Sequence, residues 1–469
     1  MTLKETIKSE AGLKYVVGEM AILSATGRRM LLNSEMTHNR TALEKEYEHI
    51  ETVIAKIQND DNKVYIEEMR HQLMCLHDIE GTLGHLRNRM LLDEVELFEI
   101  KQLAHLTAAM RRDVTAMEID TVIAMPDLTE VFEMLDPDST KMPNFYIYDS
   151  YDTRLAPIRK ELRELQASKR ELNREADETT AARVAELYDE QNSIQQEVIA
   201  RLCEAMLTKT EMIATALEQA GYADIIIAKA MMAIEWGLTR PILAEEGIEY
   251  KKIFNPRLMR RNEAAGVRYQ AIDITVRQGV CVITGANMAG KTVMLKTLGT
   301  AQLMAQYGMY VPAEEATIAV MDDVVTCIGD EQDEMQGLSS FAAEILRISE
   351  AIRRSRKERL LILVDEPART TNPIEGKALV EAMIEILGEQ TCHSVITTHY
   401  SLPTARCQRL RVKGFDEKMS DKMLTAANIN DFIDYSVVEE EHETVPHEAL
   451  RIAEILGCDE ALIEKAQEK

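Results

Sequence analysis

Aromatic residues are scarce in this sequence. Phenylalanine, tryptophan and tyrosine make up 5% of the 469 residues, and there is one tryptophan. Methionine is abundant instead, with 26 residues, and this balance favours helix packing over a β-sandwich. The seven cysteines are odd in number and form no CxxC pair, which is typical of isolated reduced thiols in a cytosolic protein.

The sequence also lacks a secretory leader and long apolar runs. Its first twenty residues, MTLKETIKSEAGLKYVVGEM, carry charges throughout, unlike a secretory signal. No apolar run reaches the length that is needed to span a bilayer. We therefore expect a cytoplasmic protein with no membrane partner.

Positive charge is in deficit. The chain has 54 Lys and Arg residues against 80 Asp and Glu residues, a net charge of −26. Phosphate backbones repel such a chain unless basic residues cluster locally. The basic run RRSRKER at 353–359 follows a predicted helix and is typical of a solvated helix C-terminus. The balance weighs against a general nucleic-acid binder and leaves a local DNA site open.

The chain divides into two halves that differ in the spacing of their apolar residues. Residues 1–245 have helical spacing of apolar residues, most clearly in the Ala-, Glu- and Leu-rich stretch 158–207. This spacing lapses around residues 177–180, which favours a long helical hairpin over about 155–220 rather than one continuous helix. The first half is therefore predicted to be an all-helical domain.

Residues 246–469 alternate between short apolar runs and helical segments. The runs that indicate strands are GVCVITG, ATIAVM, RLLILVDEP and HSVITTHY. Buried strands separated by amphipathic helices predict an α/β sheet of largely parallel strands. The predicted fold class is thus an all-helical domain followed by an α/β domain.

The stretch GANMAGKT at 285–292 satisfies the phosphate-loop pattern GxxxxGK[ST]. A predicted strand precedes it and a predicted helix follows it, so its amide groups and the helix N-terminus can bind phosphate. Lys291 would pair with the β- and γ-phosphates, and Thr292 would bind Mg²⁺. A surface turn is the alternative. The predicted ATP contacts are Gly285, Ala286, Asn287, Met288, Ala289, Gly290, Lys291, Thr292 and Val293.

Two acids end the apolar run RLLILV. Asp365 would hold Mg²⁺, and Glu366 would act as general base on the attacking water. A strand that ends in solvated acids is the alternative, which the upstream phosphate loop disfavours. His399, after the run SVITT, can sense the γ-phosphate or orient the water, although a lone histidine is more often structural.

A fourth segment, GLSSFAAE, has small hydroxyl residues before a predicted helix. Ser339 and Ser340 can cap that helix and bind an anion there. A simple helix cap is compatible with this function.

These four segments, in this order, resemble the MutS family, a branch of the ABC-type P-loop ATPases. TGANMAGKTVMLKTLG, IGDEQDEMQGLSSF, DEPARTTNPIEG and TTHY are similar to the MutS branch that lacks the mismatch-reading domain. In the helical half, LLDEVELFEIKQLA, IYDSYDTRLAPIRKEL and AKAMMAIEWGLTRP are similar to the family's core and lever segments.

The resemblance implies a dimer, either a homodimer or a heterodimer with a MutS-like paralogue. Nucleotides would lie between protomers, and Ser339 or Ser340 would reach the γ-phosphate of the partner's ATP. Tyr269 would stack on the base. Residues 330–332 would link the nucleotide state to the helical domain, and the segment of about 440–469 would assist dimerisation.

The sequence also departs from the family. Ala289 replaces a common loop glycine, and Pro367 and Ala368 follow Glu366 where a glycine is usual nearby. No mismatch-binding, connector, clamp or nuclease segment is apparent.

These departures and the negative charge favour a protein client over DNA. Short MutS-like proteins of this kind resemble the reactivating factors of adenosylcobalamin-dependent aminomutases, in particular the lysine 5,6-aminomutase type. One alternative is a DNA-binding MutS-type ATPase that acts on mismatched or branched DNA. Another is a structural ATPase whose hydrolysis sets the oligomeric state.

Overall fold

The computed structural model describes residues 1–140, 145–172, 178–285, 289–329, 340–402, 406–415, 433–440 and 458–467. The chain forms two compact units. The first comprises Met1–Met20, Ser34–Glu48 and Met231–Lys469, and the second comprises Ala21–Asn33 and His49–Ala230. Two N-terminal segments of the predicted helical half therefore belong to the same unit as the predicted α/β half.

The N-terminal half is helical, as its sequence pattern predicts. Its α-helices are α1 (Leu3–Ser9), α2 (Ala11–Glu19), α3 (Ala25–Asn33), α4 (Arg40–Ile57), α5 (Lys63–Met74), α6 (Glu80–Arg87), α7 (Glu94–Ala116), α8 (Thr129–Leu135), α9 (Leu155–Leu172), α10 (Glu178–Leu207) and α11 (Thr210–Trp236). None of the helices in the described ranges is both long enough and apolar enough to cross a membrane.

The C-terminal half mixes strands and helices. Its elements are β1 (Ile242–Ala244), β2 (Ile248–Ile253), α12 (Pro256–Ala264), β3 (Ile272–Val276), β4 (Gly279–Thr284), α13 (Lys291–Gln306), β5 (Glu315–Ala319), β6 (Asp323–Cys327), α14 (Ser340–Ser355), β7 (Leu360–Asp365), α15 (Pro373–Gly388), β8 (His393–Thr397), β9 (Gln408–Phe415), β10 (Ile433–Glu439) and α16 (Glu460–Gln467).

Helices α9 and α10 pack side by side in the second unit. The Arg183 guanidinium on α10 lies 2.9 Å from the Glu161 carboxylate on α9, and the Gln166 amide donates to the Tyr188 hydroxyl over 2.8 Å. These contacts join residues on either side of 177–180, the region where the apolar spacing lapses. The two helices therefore contact each other through residues on both sides of this region.

A six-stranded sheet forms the centre of the α/β part of the first unit. Its strand order is β10-β9-β4-β8-β7-β6, and the pairs from β9 to β6 are parallel, whereas β10 pairs antiparallel with β9. Strands β4, β7 and β8 are buried along nearly their whole length, because helices cover both faces of a parallel sheet. This arrangement brings the carboxyl ends of β4, β7 and β8 to one edge.

A second sheet lies in the same unit, in the order β1-β5-β2-β3. Its strand β5 contains most of the run ATIAVM, which is predicted from the sequence to join the largely parallel α/β sheet. In the structure β5 pairs antiparallel with β2 and parallel with β1. Periodicity predicts that this run is a strand, but it carries no information about which sheet the strand joins.

The N-terminal segments of the first unit pack against the C-terminal end of α13, the helix that follows the phosphate loop. The Tyr47 hydroxyl donates to the Ala305 carbonyl over 2.8 Å, and the hydroxyls of Thr6 and Tyr307 lie 2.7 Å apart. The side chain of Tyr47 is fully buried. These side-chain contacts explain why residues far apart in sequence share one compact unit.

Candidate nucleotide-binding site

The three predicted catalytic segments meet at one edge of the six-stranded sheet. Ile283 at the end of β4 and Asp365 at the end of β7 both pair with Thr397 at the end of β8. The residues that follow these strands therefore emerge side by side. This is the edge at which open parallel sheets bind ligands.

The phosphate loop uses glycine at two positions where other residues would be strained. Gly285 has φ of +142° and Gly290 has φ of +77°. A Cβ atom at Gly285 would also lie 3.3 Å from the Cβ atom of Val412. Gly290 is the N-cap of α13, so the loop leads directly into the helix N-terminus. The predicted contacts Ala286, Asn287 and Met288 lie outside the described residues.

Lys291 begins α13, and its side chain is buried. Its ammonium donates to the Gly285 carbonyl over 2.8 Å and lies 3.5 Å from the Glu366 carboxylate. The Glu366 carboxylate is also 3.8 Å from the Arg369 guanidinium. The lysine is thus held against the loop, where a phosphate would compete with Glu366 for its charge.

Two hydroxyl groups orient the Asp365 carboxylate. Thr292 donates to one carboxylate oxygen and Thr397 donates to the other, each over 2.6 Å. An aspartate oxygen and a threonine oxygen so close together are the hard ligands that Mg²⁺ prefers. The described residues include no cluster of three or more His, Cys, Asp or Glu that could hold a metal. A bound Mg²⁺ would therefore rely on Thr292, Asp365 and phosphate oxygens.

The backbone after β7 is strained. Glu366 has φ of +46° and Ala368 has φ of +60°, although neither is glycine. Such a conformation costs about 1–3 kcal/mol per residue and persists only where surrounding contacts hold it. One such contact is with β8, since the Glu366 N–H lies within 3.1 Å of both oxygens of Thr397. Ala368 thus stands where a glycine would adopt the same backbone conformation with less strain.

The other predicted site residues are His399 and the two serines, Ser339 and Ser340. His399 is exposed, and its ring centroid lies 4.6 Å from that of Tyr400. Ser340 is the first residue of α14. Ser339 and the linking residues 330–332 lie outside the described residues, as does most of the segment 440–469.

A cavity of about 460 Å³ adjoins the phosphate loop. Its lining includes Ala289, Gly290 and Val293 from the loop and α13, together with Tyr269. Tyr269 is half-buried, and its hydroxyl accepts a hydrogen bond of 2.8 Å from the Asn255 backbone N–H. Burial raises the pKa of Tyr269, partly offset by that hydrogen bond, so the ring stays neutral. Tyr269 thus lies in the wall of the cavity that adjoins the phosphate loop.

Tyr435 on β10, which was not predicted from the sequence, also lines this cavity. A Cβ atom at Gly290 would lie 3.2 Å from its ring, so Tyr435 reaches the phosphate loop itself. Gln270 holds the strand in place, accepting from the Tyr435 N–H over 3.2 Å and donating to Asp434 over 2.8 Å. No sequence motif marks Tyr435, because its position depends on the pairing of β10 at the sheet edge.

Hydrogen bonds also fix the acid beside Tyr435. Burial raises the pKa of Asp434, but hydrogen bonds from Ser436, Gln270 and Lys413 outweigh it and hold that pKa well below its usual range. The carboxylate therefore stays charged and keeps its contacts across the neutral pH range. This stabilises the wall of the cavity that carries Tyr435.

Residues 281–469 match the family model for MutS domain V. This match contains the phosphate loop from Gly285 onward, both acids and His399. It confirms the predicted resemblance of the C-terminal half to MutS proteins. Tyr269 lies upstream of the matched range.

Three similar proteins are each named Endonuclease MutS2. The protein from Thermus thermophilus is 38% identical over 195 residues, which cover 42% of this chain and 25% of that protein. The Ligilactobacillus salivarius protein is 40% identical over 187 residues, covering 38% and 22%. The Fusobacterium nucleatum protein is 31% identical over 290 residues, covering 61% and 35%. The chain therefore spans between about a fifth and about a third of the length of these relatives.

Proposed function

We propose that this protein is a MutS-type ATPase that binds and hydrolyses ATP with Mg²⁺ and acts on DNA. The observation that carries the proposal is the convergence of Lys291, the Thr292–Asp365 pair and Glu366 at one sheet edge. This edge lies within the range that is similar to MutS domain V.

Each residue has a role in this proposal. Lys291 and the loop amides bind the phosphates, and Thr292 and Asp365 hold Mg²⁺, which supplies positive charge to the phosphate oxygens. Glu366 accepts a proton from the attacking water, and His399 orients that water. Tyr269 and Tyr435 contact the base.

The name of the relatives supports DNA as the client. Proteins named Endonuclease MutS2 favour the DNA alternative over the reactivation of an aminomutase, for which these relatives offer no support. The endonuclease activity in that name is no part of the proposal, because the chain matches 22–35% of those proteins. With a net charge of −26, DNA binding would need a local basic surface.

The active form in this proposal is a dimer, of two identical chains or of one chain and a MutS-like paralogue. Ser339 or Ser340 of one chain would contact the γ-phosphate bound by the other. The segment of about 440–469 would contribute to the dimer contact. Sedimentation with and without an ATP analogue tests this part of the proposal.

The ATPase is tested by substituting Glu366→Gln, which keeps the size of the side chain and removes the base. Hydrolysis should fall by about 100-fold or more, while binding of an ATP analogue should persist. Glu375→Gln is a matched control, since Glu375 lies in the first turn of α15, beyond the site. Equal hydrolysis by Glu366→Gln and the unsubstituted protein would contradict the proposed chemistry.

The DNA client is tested by binding to mismatched, branched and plain duplexes at physiological salt. Binding should differ between ATP, ADP and no nucleotide, and DNA should shift ATP affinity by the same factor, because coupling is reciprocal. Failure to bind any of the three DNAs would exclude DNA as the client. ATP-dependent rescue of an inactivated cobalamin-dependent aminomutase would then identify the protein client instead.

A further inference from the structure

Ala368 is held by contacts on both sides of its backbone. Its N–H donates to the Glu344 carboxylate on α14 over 3.3 Å, and its carbonyl accepts from the Tyr400 hydroxyl over 3.1 Å. Ala368 is itself buried, with 1% of its surface exposed. We call Glu344 and Tyr400 the Ala368 clamp.

The space around the clamp is closely filled. A Cβ atom at Gly376 on α15 would lie 2.5 Å from the Tyr400 hydroxyl and 3.1 Å from the Ala368 carbonyl. The Tyr400 N–H donates to the Thr398 hydroxyl over 3.0 Å, which fixes the backbone from which the ring projects. Helices α14 and α15 and the loop after β8 therefore meet at one strained residue.

The clamp explains how a strained backbone persists beside a predicted catalytic acid. Glu366 and Ala368 both have positive φ, with Pro367 between them. A left-handed conformation at a non-glycine residue requires neighbouring contacts that outweigh its cost. Glu344 and Tyr400 supply such contacts at Ala368, two residues after Glu366.

We propose that Glu344 and Tyr400 are positioning residues for Glu366 in ATP hydrolysis. This inference rests on the proposed ATPase function and adds residues for which that function assigns no role. Glu344 and Tyr400 are not among the residues that line the nucleotide cavity. Their loss should therefore slow the chemical step and leave nucleotide binding intact.

Tyr400→Phe and Glu344→Ala test the clamp by steady-state hydrolysis and by binding of an ATP analogue. Each should lower kcat by about 10-fold or more, since small displacements of a catalytic group are costly, and leave KM and analogue affinity within about two-fold. Glu344→Gln keeps an acceptor oxygen and should restore most of the rate. Glu350→Ala, which removes an exposed ion pair with Arg353 on the same helix, is the matched control.

The outcomes separate the clamp from the ATPase proposal. If the unsubstituted protein hydrolyses ATP and both clamp variants match its kcat, the clamp is wrong and the ATPase stands. If Glu344→Gln is as slow as Glu344→Ala, or if KM and analogue affinity change as much as kcat, Glu344 has a general structural role and the proposal is overturned. If the unsubstituted protein binds the analogue and does not hydrolyse ATP, the ATPase proposal fails and the clamp fails with it.

Discussion

Each compact unit of the protein contains a buried lysine that faces a carboxylate. Lys291 in the first unit lies 3.5 Å from Glu366, and Lys101 in the second lies 3.3 Å from Asp136. The two lysine side chains are equally buried, at 5% and 4% exposed. The acids differ, because the Asp136 side chain is fully buried whereas 17% of the Glu366 side chain is exposed.

The surroundings of the two pairs differ more than the pairs themselves. Asp136 accepts from the Thr140 hydroxyl over 2.8 Å, Thr140 contacts the Tyr148 hydroxyl at 2.7 Å, and Lys101 lies 6.0 Å from the centre of the Tyr148 ring. That network is satisfied by the protein's own groups. Lys291 instead begins α13, directly after the glycine loop that borders a cavity. The Lys291–Glu366 pair thus lies where a ligand can approach, whereas the protein's own groups surround the Lys101–Asp136 pair.

The largest expected effect is on hydrolysis, from Lys291→Ala. Loss of this charge should lower the rate by about 100-fold or more, because it removes a preorganised contact to the transferred phosphate. Lys296→Ala on the exposed side of the same helix is the control and should leave the rate unchanged. Steady-state ATPase assays make the comparison, and equal rates for the two variants would show that Lys291 resembles Lys101 in being structural.

Lys101→Ala should act on stability instead. It leaves the Asp136 carboxylate buried without its counter-ion, which should cost about 3–5 kcal/mol of unfolding free energy. Urea unfolding followed by far-UV circular dichroism measures this loss. The double variant Lys101→Met, Asp136→Leu should recover most of it. If Lys291→Ala lowered the free energy of unfolding as much as Lys101→Ala, the two pairs would not differ in role.

A pH effect should appear at His393, another buried basic side chain in the first unit. Burial, with a smaller contribution from Arg359, lowers the pKa of His393 from 6.5 to about 4. The folded imidazole is therefore neutral where the unfolded one binds a proton, so stability is complete above pH 6.5 and falls as pH falls towards 4. The loss should reach up to about 3 kcal/mol.

The variant His393→Gln isolates this effect in urea unfolding at several pH values. In the unsubstituted protein, the Gly247 N–H donates to a His393 ring nitrogen over 3.2 Å. The amide oxygen of the glutamine can still accept this hydrogen bond. The variant should lose less stability than the unsubstituted protein between pH 6.5 and 4. If the free energies of unfolding of the variant and the unsubstituted protein changed equally with pH, His393 would not titrate in this range.

The smallest expected effect is at the base side of the cavity, from Tyr435→Ala. Loss of ring contact should raise KM for ATP by about 5- to 10-fold, with kcat nearly unchanged, because base stacking contributes about 1–3 kcal/mol. Tyr435→Phe keeps the ring and is the control. A fall in kcat with constant KM would instead assign Tyr435 to the phosphate end of the site.

Much of the phosphate end was predictable from the sequence. The phosphate loop, Asp365 and Glu366 follow predicted strands directly, and parallel neighbours bring their ends to one edge. A strand fixes the location of the residues that lie within a few positions of its end. This is why Lys291, Thr292 and Asp365 converge as the motif implies.

The sequence by itself therefore determined the local chemistry: helices in the first half, a phosphate loop and the acids that face it. Only the tertiary structure decided which sheet β5 joins, that the segments 1–20 and 34–48 pack with the C-terminal half, and that Tyr435 reaches the loop. The spacing of apolar residues indicates which face of a helix or strand is buried, but not which other element covers that face. The contacts of Glu344 and Tyr400 with Ala368 also depend on the tertiary structure, since the three residues meet only when α14, β7 and the loop after β8 are packed together.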